Sequence, residues 1–168
     1  FAFRRPCLSL IRAHDARMSS TTIHPPNNPI TPIQVVTAAI VNHQDKRLFM
    51  QRRSGTTRYP WHWGTPGGKV ETSEPKFMAL CREMREEHGV ALRDEVLDVS
   101  SSVYRHEGPL GHIVQCYLIP HHLVIGTYRA ASKTVAGFDW VTTEELERLT
   151  PLTPADEANR EKLLALIR

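Results

Sequence analysis

The sequence predicts a mixed α/β (α+β) domain, and three observations support this fold class. Apolar, β-branched runs at 34–41 and 112–119 are typical of buried strands. Residues 75–88 instead place their apolar side chains three to four positions apart, which is the period of an amphipathic helix. Segments of the two kinds alternate along a chain of 168 residues, so we expect one domain that contains both.

The individual elements follow from local patterns taken in chain order. A polar turn at 42–46 separates the first two strands, and the glycine-rich segment 64–68 predicts a tight turn before the first helix. Pro75 suits the first turn of that helix, and Thr153 followed by Pro154 predicts the start of the last helix. The predicted strands are 34–41, 48–53, 96–104, 112–119 and 138–141, and the predicted helices are 75–88, 143–149 and 154–167.

The first 31 residues are predicted to form a tail, and the folded domain is predicted to occupy residues 32–168. Residues 1–17 contain four arginines and one aspartate, and residues 19–32 contain four prolines, which disfavour helix and sheet alike. An Arg-rich, acid-poor start is typical both of a disordered tail and of a mitochondrial transit segment. We therefore expect a cytoplasmic protein, with mitochondrial targeting as the alternative.

The composition argues against several classes of protein. The three cysteines are widely spaced, so they suggest neither a disulfide framework nor a CxxC metal pair, and Cys81 and Cys116 are expected in the core. No run approaches the ~20 consecutive apolar residues of a membrane span. Residues 18–168 carry 17 basic and 17 acidic side chains, so we expect no nucleic-acid partner. Monomer and homodimer both stay open.

The helix predicted at 75–88 carries three glutamates on one side. Glu83, Glu86 and Glu87 are spaced i, i+3 and i+4, so they share an arc of about 100° beside the apolar stripe. Like charges at this spacing repel each other, and the C-terminal end of a helix disfavours anions. A hard divalent cation such as Mg²⁺ would offset this charge with oxygen ligands. An acidic run is also typical of a solvated helix face, so the cluster alone leaves both interpretations open.

A longer pattern surrounds the three glutamates. Residues 68–90 match G-x5-E-x7-R-E-U-x-E-E-x-G-U, where U is apolar, at every fixed position. This stretch resembles the Nudix box, the loop–helix–loop of the Nudix hydrolases. Residues 49–53, 63–68 and 153–157 further resemble the MutT branch of that family, the oxidised-nucleotide diphosphatases. The resemblance implies an α/β/α sandwich, with a mixed sheet between helices, and a cofactor that is Mg²⁺ or Mn²⁺.

The resemblance also implies roles for individual residues. The implied metal ligands are Gly68, through its carbonyl, Glu83, Glu86 and Glu87. Glu74 and Arg82 correspond to residues that orient the site. Either Glu83 or Glu86 is expected to be catalytic, by taking a proton from water. The expected substrate-binding residues are Arg53, Lys69 and Asp156. Asp156 stands where the MutT branch has an asparagine that reads the base.

Two features depart from the MutT pattern. Thr65 stands where the branch has an aromatic or large apolar residue before Pro-Gly-Gly. The loop 126–136 contains no acid, although the branch places near there a further glutamate that aids catalysis. Glu107 or Asp139 would have to substitute for this glutamate; otherwise a glutamate of the Nudix box is the general base.

The expected activity is metal-dependent hydrolysis of a nucleoside triphosphate to the monophosphate and pyrophosphate. The expected substrate is 8-oxo-dGTP or a related dNTP such as dCTP, and the role would be sanitation of the nucleotide pool. One alternative is another substrate: a dinucleoside polyphosphate, ADP-ribose or dihydroneopterin triphosphate. The other is a catalytically inactive nucleotide-binding module, which the presence of all three box glutamates disfavours.

Overall fold

The computed structural model describes residues 31–109 and 111–168. The strands are β1 (Ile33–Asn42), β2 (Arg47–Arg53), β3 (Trp63–Gly64), β4 (Gly67–Lys69), β5 (Ala91–Leu92), β6 (Ser101–Glu107), β7 (His112–Pro120), β8 (Val124–Ile125) and β9 (Val135–Val141). The helices are α1 (Lys76–His88), α2 (Val96–Val99), α3 (Thr143–Arg148), α4 (Pro154–Ala158) and α5 (Arg160–Leu164), and a 3₁₀ turn spans His121–Leu123.

Seven of the described strands form one mixed sheet. Its order is β3-β2-β1-β7-β6, with β4 paired to β1 and β9 paired to β2. β1 and β7 run parallel, from Ile33 opposite His112 to Val41 opposite Pro120. The pairs β1–β2, β1–β4, β2–β3, β2–β9 and β6–β7 are antiparallel. Strands β5 and β8 make a separate two-stranded sheet.

Helices pack on both faces of the mixed sheet, because successive residues of a strand point to opposite faces. On one face, Ile40 and Phe49 belong to a core cluster with Leu80 of α1. On the other face, Val41 belongs to a second cluster with Leu163 of α5. The expected α/β/α sandwich, with a mixed sheet between helices, is therefore confirmed.

The predicted strand 96–104 is wrong over its first five residues. Residues 96–99 form α2, and β6 begins only at Ser101. Val96 is fully buried, and its backbone N–H donates to the carbonyl of Arg93, which starts a helical turn. A short apolar run indicates burial without fixing the period of the backbone, so the sequence pattern could not distinguish the two.

Two further predictions need correction. The expected helix 154–167 is two helices, because Asn159 adopts φ −121° and ψ 18° and its side-chain amide donates to the carbonyl of Ala155. Thr153 is nevertheless its N-cap, as predicted. The segment 64–68, predicted as a tight turn, also contributes β4, whose Gly68 pairs with Val36.

The predicted tail, residues 1–31, lies outside the described residues except for Thr31. Within the described ranges, no helix has the length and apolar character needed to cross a membrane.

Candidate active site

Helix α1 positions the three box glutamates. Its apolar residues Leu80 and Met84 are fully buried under the sheet, which fixes the rotation of the helix about its axis. The helix ends at Gly89, whose φ of 68° lies in the left-handed region and whose N–H donates to carbonyls of the last turn. The glutamates therefore lie at the edge of the buried face of the helix. Their exposure differs, since Glu86 is exposed and Glu87 is buried.

Two glycines, one just before the box and one at its first position, bring the backbone into close contact with neighbouring elements. Gly67 has φ 138°, and a Cβ there would collide with the backbone of Val36. A Cβ on Gly68 would collide with the carboxylate of Glu83, so that carboxylate lies directly against the Gly68 backbone. Both positions require glycine for different reasons: a positive φ at one and close approach of a carboxylate at the other.

Arg82 ties the loop to the helix. Its Nε and Nη2 donate to the two oxygens of Glu74, each at 3.0 Å, and Nη2 also donates to the carbonyl of Lys69 at 2.9 Å. Its Nη1 donates to Glu83 at 2.9 Å and to Glu86 at 3.4 Å. The hydrogen bond from Arg82 lowers the pKa of Glu74, and Glu74 raises the pKa of Arg82. One guanidinium thus connects Glu83 and Glu86 of the helix to the loop that contains Lys69 and Glu74.

Glu74 lies outside helix α1, and its charge is balanced by other contacts. Glu74 suits the helix dipole only if it lies in the first turn, but α1 begins at Lys76 and its first turn contains no acid. Its carboxylate instead accepts from the backbone N–H of Glu71 and from Arg82. Its charge is therefore matched by a side chain rather than by the end of the helix.

Glu87 has a different environment from the other two glutamates. It is 8% exposed, and Oε1 accepts a hydrogen bond from Thr134 Oγ1 at 2.8 Å. Its Oε2 is buried and has no hydrogen-bond partner in the described part of the chain. Burial raises the pKa of Glu87, while Thr134, Gln51 and Arg53 lower it. The structure thus brings Arg53, from β2, close to a box glutamate.

Sequence reasoning did not find Thr134 or Gln51. The one signal for Thr134 was the loop 126–136, which lacks the acid expected there. That loop does reach the box, but it presents a hydroxyl. The two acids considered as substitutes lie elsewhere: Glu107 is exposed and paired with Arg105, and Asp139 is exposed and accepts from the backbone N–H of Trp140.

The donor set suits a hard cation, although the side chains do not converge on one point. Burial raises the pKa of Glu83, and the negative charges of Glu87 and Glu86 raise it further. Glu87 has a buried oxygen with no partner among the residues that the structure describes, which is costly unless a proton or cation satisfies it. Among the described residues, no three His, Cys, Asp or Glu side chains are arranged to hold an ion. Arg82 donates to Glu83, and Thr134 donates to Glu87. All-oxygen donors of this kind fit Mg²⁺ or Mn²⁺.

Asp156 lies beside the other end of the glycine-rich segment. The residue is 2% exposed. Its Oδ1 accepts from the hydroxyls of Thr65 and Tyr104, at 2.9 and 2.7 Å. Its Oδ2 accepts from the Thr65 backbone N–H and the Thr153 hydroxyl, at 3.1 and 2.6 Å. A Cβ on Gly64 would lie 2.9 Å from Oδ2, so glycine is needed for this approach as well.

The segment 64–68 therefore joins two polar centres. Thr65, near its start, binds Asp156 on α4, and Gly68, at its end, touches Glu83 on α1. Burial, and then the charge of Asp156, raise the pKa of Tyr104 well above its ordinary value, so the phenol is a donor at neutral pH. Lys69 follows the segment with an exposed side chain.

The remaining candidates for chemistry lie in the core. Cys116 is fully buried, and burial raises the pKa of its thiol to about 12, which makes it inert as a nucleophile. His88 is also fully buried, and burial lowers its pKa to about 4. Its Nε2 lies 2.6 Å from Oε1 of Gln51. The expectation that Cys116 is a core residue is confirmed, whereas Cys81 is only partly buried and packs against the edge of the core.

Comparison with known proteins identifies the family. The model of the NUDIX domain matches residues 32–166. The chain is 30% identical to the CTP pyrophosphohydrolase of Escherichia coli over 138 residues, which cover 80% of this chain and 93% of that protein. The chain belongs to the NUDIX domain family.

Two solved structures support the same assignment. A MutT NUDIX hydrolase from Burkholderia pseudomallei is 28% identical, with a TM-score of 0.65, over 78% of this chain and 97% of that one. The E. coli ORF135 protein in solution is 29% identical, with a TM-score of 0.61, over 80% of this chain and 89% of that one. The protein is thus a MutT-like Nudix hydrolase, which acts on phosphoanhydride bonds.

Proposed function

We propose that this protein hydrolyses a nucleoside triphosphate to the monophosphate and pyrophosphate, and that its preferred base carries an exocyclic amine. Cytosine is the first candidate base and 8-oxoguanine the second, and the cellular role is sanitation of the nucleotide pool. The observation that carries this proposal is the buried Asp156 carboxylate, because it fixes the hydroxyls of Thr65 and Tyr104 as donors and so leaves their oxygens as acceptors beside the glycine-rich segment. The 30% identity to an E. coli CTP pyrophosphohydrolase supports cytosine.

The proposed cation site uses the oxygens described above. The residues that would hold Mg²⁺ or Mn²⁺ are Gly68, Glu83, Glu86 and Glu87. When bound, the ion supplies positive charge for the phosphate oxygens and acidifies water. The buried, unpartnered oxygen of Glu87 and the contact of Glu83 with Gly68 support this assignment.

The chain's own residues supply the proton transfer and the binding of phosphate. Glu83 or Glu86 takes the proton from the attacking water, and Arg82 holds both carboxylates in place. Burial raises the pKa of Glu83, so its carboxylate is a stronger base than that of an ordinary glutamate. Arg53, beside Glu87, and the exposed Lys69 are positive partners for the phosphates.

Selection of the base follows from the direction of the hydrogen bonds at Asp156. The hydroxyls of Thr65 and Tyr104 donate to Oδ1, which leaves their oxygens as acceptors. A base amine donates either to these oxygens or, if a hydroxyl rotates away, to the carboxylate itself. A base with a carbonyl at the same position would meet only acceptors, which is unfavourable.

The substitution Asp156→Asn tests this selection. The Thr65 backbone N–H cannot reverse, so the asparagine oxygen should take the place of Oδ2 and its NH₂ the place of Oδ1. The NH₂ then donates to the hydroxyls of Thr65 and Tyr104, whose own protons turn towards the base. We expect the ratio of kcat/KM for dCTP over dUTP to fall about tenfold or more, because dUTP has a carbonyl in place of the 4-amine and a proton on N3. An unchanged ratio would remove Asp156 from base selection.

The activity itself is tested with a panel of nucleotides. The panel contains dCTP, CTP, dUTP, dGTP and 8-oxo-dGTP, with ADP-ribose, a dinucleoside tetraphosphate and dihydroneopterin triphosphate as competing candidates. The highest Mg²⁺-dependent kcat/KM should fall on dCTP, CTP or 8-oxo-dGTP. A preference for ADP-ribose or a dinucleoside polyphosphate would contradict the proposed substrate class, and no turnover at all would indicate a binding module.

A further inference from the structure

We propose that Thr134 is a positioning residue of the cation site: its hydroxyl holds one oxygen of Glu87 so that the other oxygen is left for the ion. This inference rests on the proposed function, since it assumes that Glu87 is a metal ligand. The loop that carries Thr134 lies where the MutT branch has a glutamate, and a neutral hydroxyl replaces that charge here.

The contact with Glu87 is specific to one oxygen. Thr134 Oγ1 donates to Oε1 at 2.8 Å, while Oε2 is buried without a partner in the described ranges. A carboxylate that is free to rotate exchanges its two oxygens, whereas one that accepts a fixed hydrogen bond does not. Ligand orientation by such a neighbouring donor typically changes metal affinity 10- to 100-fold.

The backbone of the loop is anchored to the end of α1. The N–H of Ala131 donates to the carbonyl of Glu87 at 2.9 Å, and the N–H of Arg129 donates to the carbonyl of His88 at 3.0 Å. These carbonyls belong to the last turn of the helix, where no helical N–H is available for them. The loop therefore caps the helix and fixes its own distance from the Glu87 side chain.

A second anchor connects Thr134 to the sheet. The backbone N–H of Ser54 donates to the carbonyl of Thr134 at 2.8 Å, directly after Arg53 pairs with Val135 between β2 and β9. The Ser132 hydroxyl lies 2.9 Å from Thr134 Oγ1, but the contact to Glu87 comes from Thr134. The hydroxyl is thus held from both the helix and the sheet.

A hydroxyl at this position does what a carboxylate could not. It donates a hydrogen bond to Glu87, whereas an ionised acid would repel it and add a further negative charge to the cluster. Glu107 and Asp139 make their contacts elsewhere, so among the described acids we assign the cation to the box carboxylates. Thr134 then tunes the affinity for the cation without binding it.

The test is the affinity of the full chain for Mn²⁺, measured by electron paramagnetic resonance without nucleotide. Thr134→Val keeps the shape and removes the donor, Thr134→Ser keeps the donor, and Ser132→Ala is the matched control. We expect the Mn²⁺ Kd to rise about tenfold or more for Thr134→Val and to stay within about twofold for the other two. At saturating metal, KM for the nucleotide should be unchanged in all three.

Thr134 is an exposed residue, so its substitution opens no cavity. If Thr134→Val nevertheless fails to fold, as judged by circular dichroism, Thr134→Ala carries the same expectation. A Kd for the variant within twofold of the parent, or an equal loss in Thr134→Ser, would overturn the inference.

Failure of the proposed function gives a different result. A parent protein that binds Mn²⁺ but turns over no nucleotide would contradict the proposed function. The ratio of the Mn²⁺ Kd of Thr134→Val to that of the parent would still decide the role of Thr134. A parent protein that binds no Mn²⁺ would overturn both.

Discussion

Removal of the Asp156 carboxylate should destabilise the fold, because it leaves four donors without their acceptor. We consider Asp156→Ala, at a residue that is 2% exposed. The backbone N–H of Thr65 and the phenol of Tyr104 are both buried, and the carboxylate is the acceptor for each. A buried donor left unsatisfied costs about 1–3 kcal/mol. The hydroxyls of Thr65 and Thr153 are small and can turn to other acceptors, so we count only two donors and expect the free energy of unfolding to fall by about 2–6 kcal/mol.

The assay is equilibrium unfolding in urea, followed by tryptophan fluorescence and by circular dichroism. Asp139→Ala is the control, because Asp139 is exposed and accepts only from its neighbour Trp140; it should change the free energy of unfolding by less than about 0.5 kcal/mol. The loss in the free energy of unfolding for Asp156→Asn should fall between those of the two alanine variants, because the amide keeps one acceptor and the shape of the side chain. A change of less than about 1 kcal/mol for Asp156→Ala, with an unchanged m-value, would refute the assigned hydrogen bonds.

Four further predictions follow from the site and the core. Burial lowers the pKa of His88 from 6.5 to about 4, so its contribution to stability is present above pH 6.5 and is lost as the pH falls towards 4. The shift in pKa corresponds to about 3 kcal/mol in the free energy of unfolding. Urea unfolding of His88→Gln should lack that part of the pH dependence, and the same pH dependence in the variant and the parent would contradict this. Glu86→Gln should lose about 100-fold or more in kcat at saturating Mg²⁺, and retention of most activity would exclude Glu86 from the mechanism. The pKa of about 12 for Cys116 predicts that iodoacetamide at pH 8 does not label its peptide until urea unfolds the protein; rapid labelling of the native protein would be inconsistent with its burial. Chelation with EDTA should abolish turnover and Mg²⁺ should restore it, whereas turnover in EDTA would argue against the cation site.

The sequence was sufficient for the parts of the site that lie close together in the chain. The residues from Gly68 to Glu87 are joined by one turn and one helix, so their spacing alone fixes which side chains share a face. Arg82 reaches Glu86 because the two are four residues apart on that helix. The predicted start of α1 differs from the observed start by one residue.

The contacts that cross the sheet could not be predicted from local patterns. Thr134 meets Glu87 only because β9 pairs with β2, and Tyr104 meets Asp156 only because β6 joins the sheet beside β7. Strand order is set by the packing of the whole domain, so the local spacing of residues does not show which strands become neighbours. The strand predicted at residues 96–99 was wrong for a local reason, because a short apolar run is compatible with a strand and with a buried helix.

The most direct test of the cation site and its chemistry is ³¹P nuclear magnetic resonance of the reaction mixture with dCTP. With Mg²⁺ present, the account predicts equal amounts of the nucleoside monophosphate and pyrophosphate, and no products when EDTA replaces Mg²⁺. Release of orthophosphate with a nucleoside diphosphate, or the same products in EDTA, would contradict it.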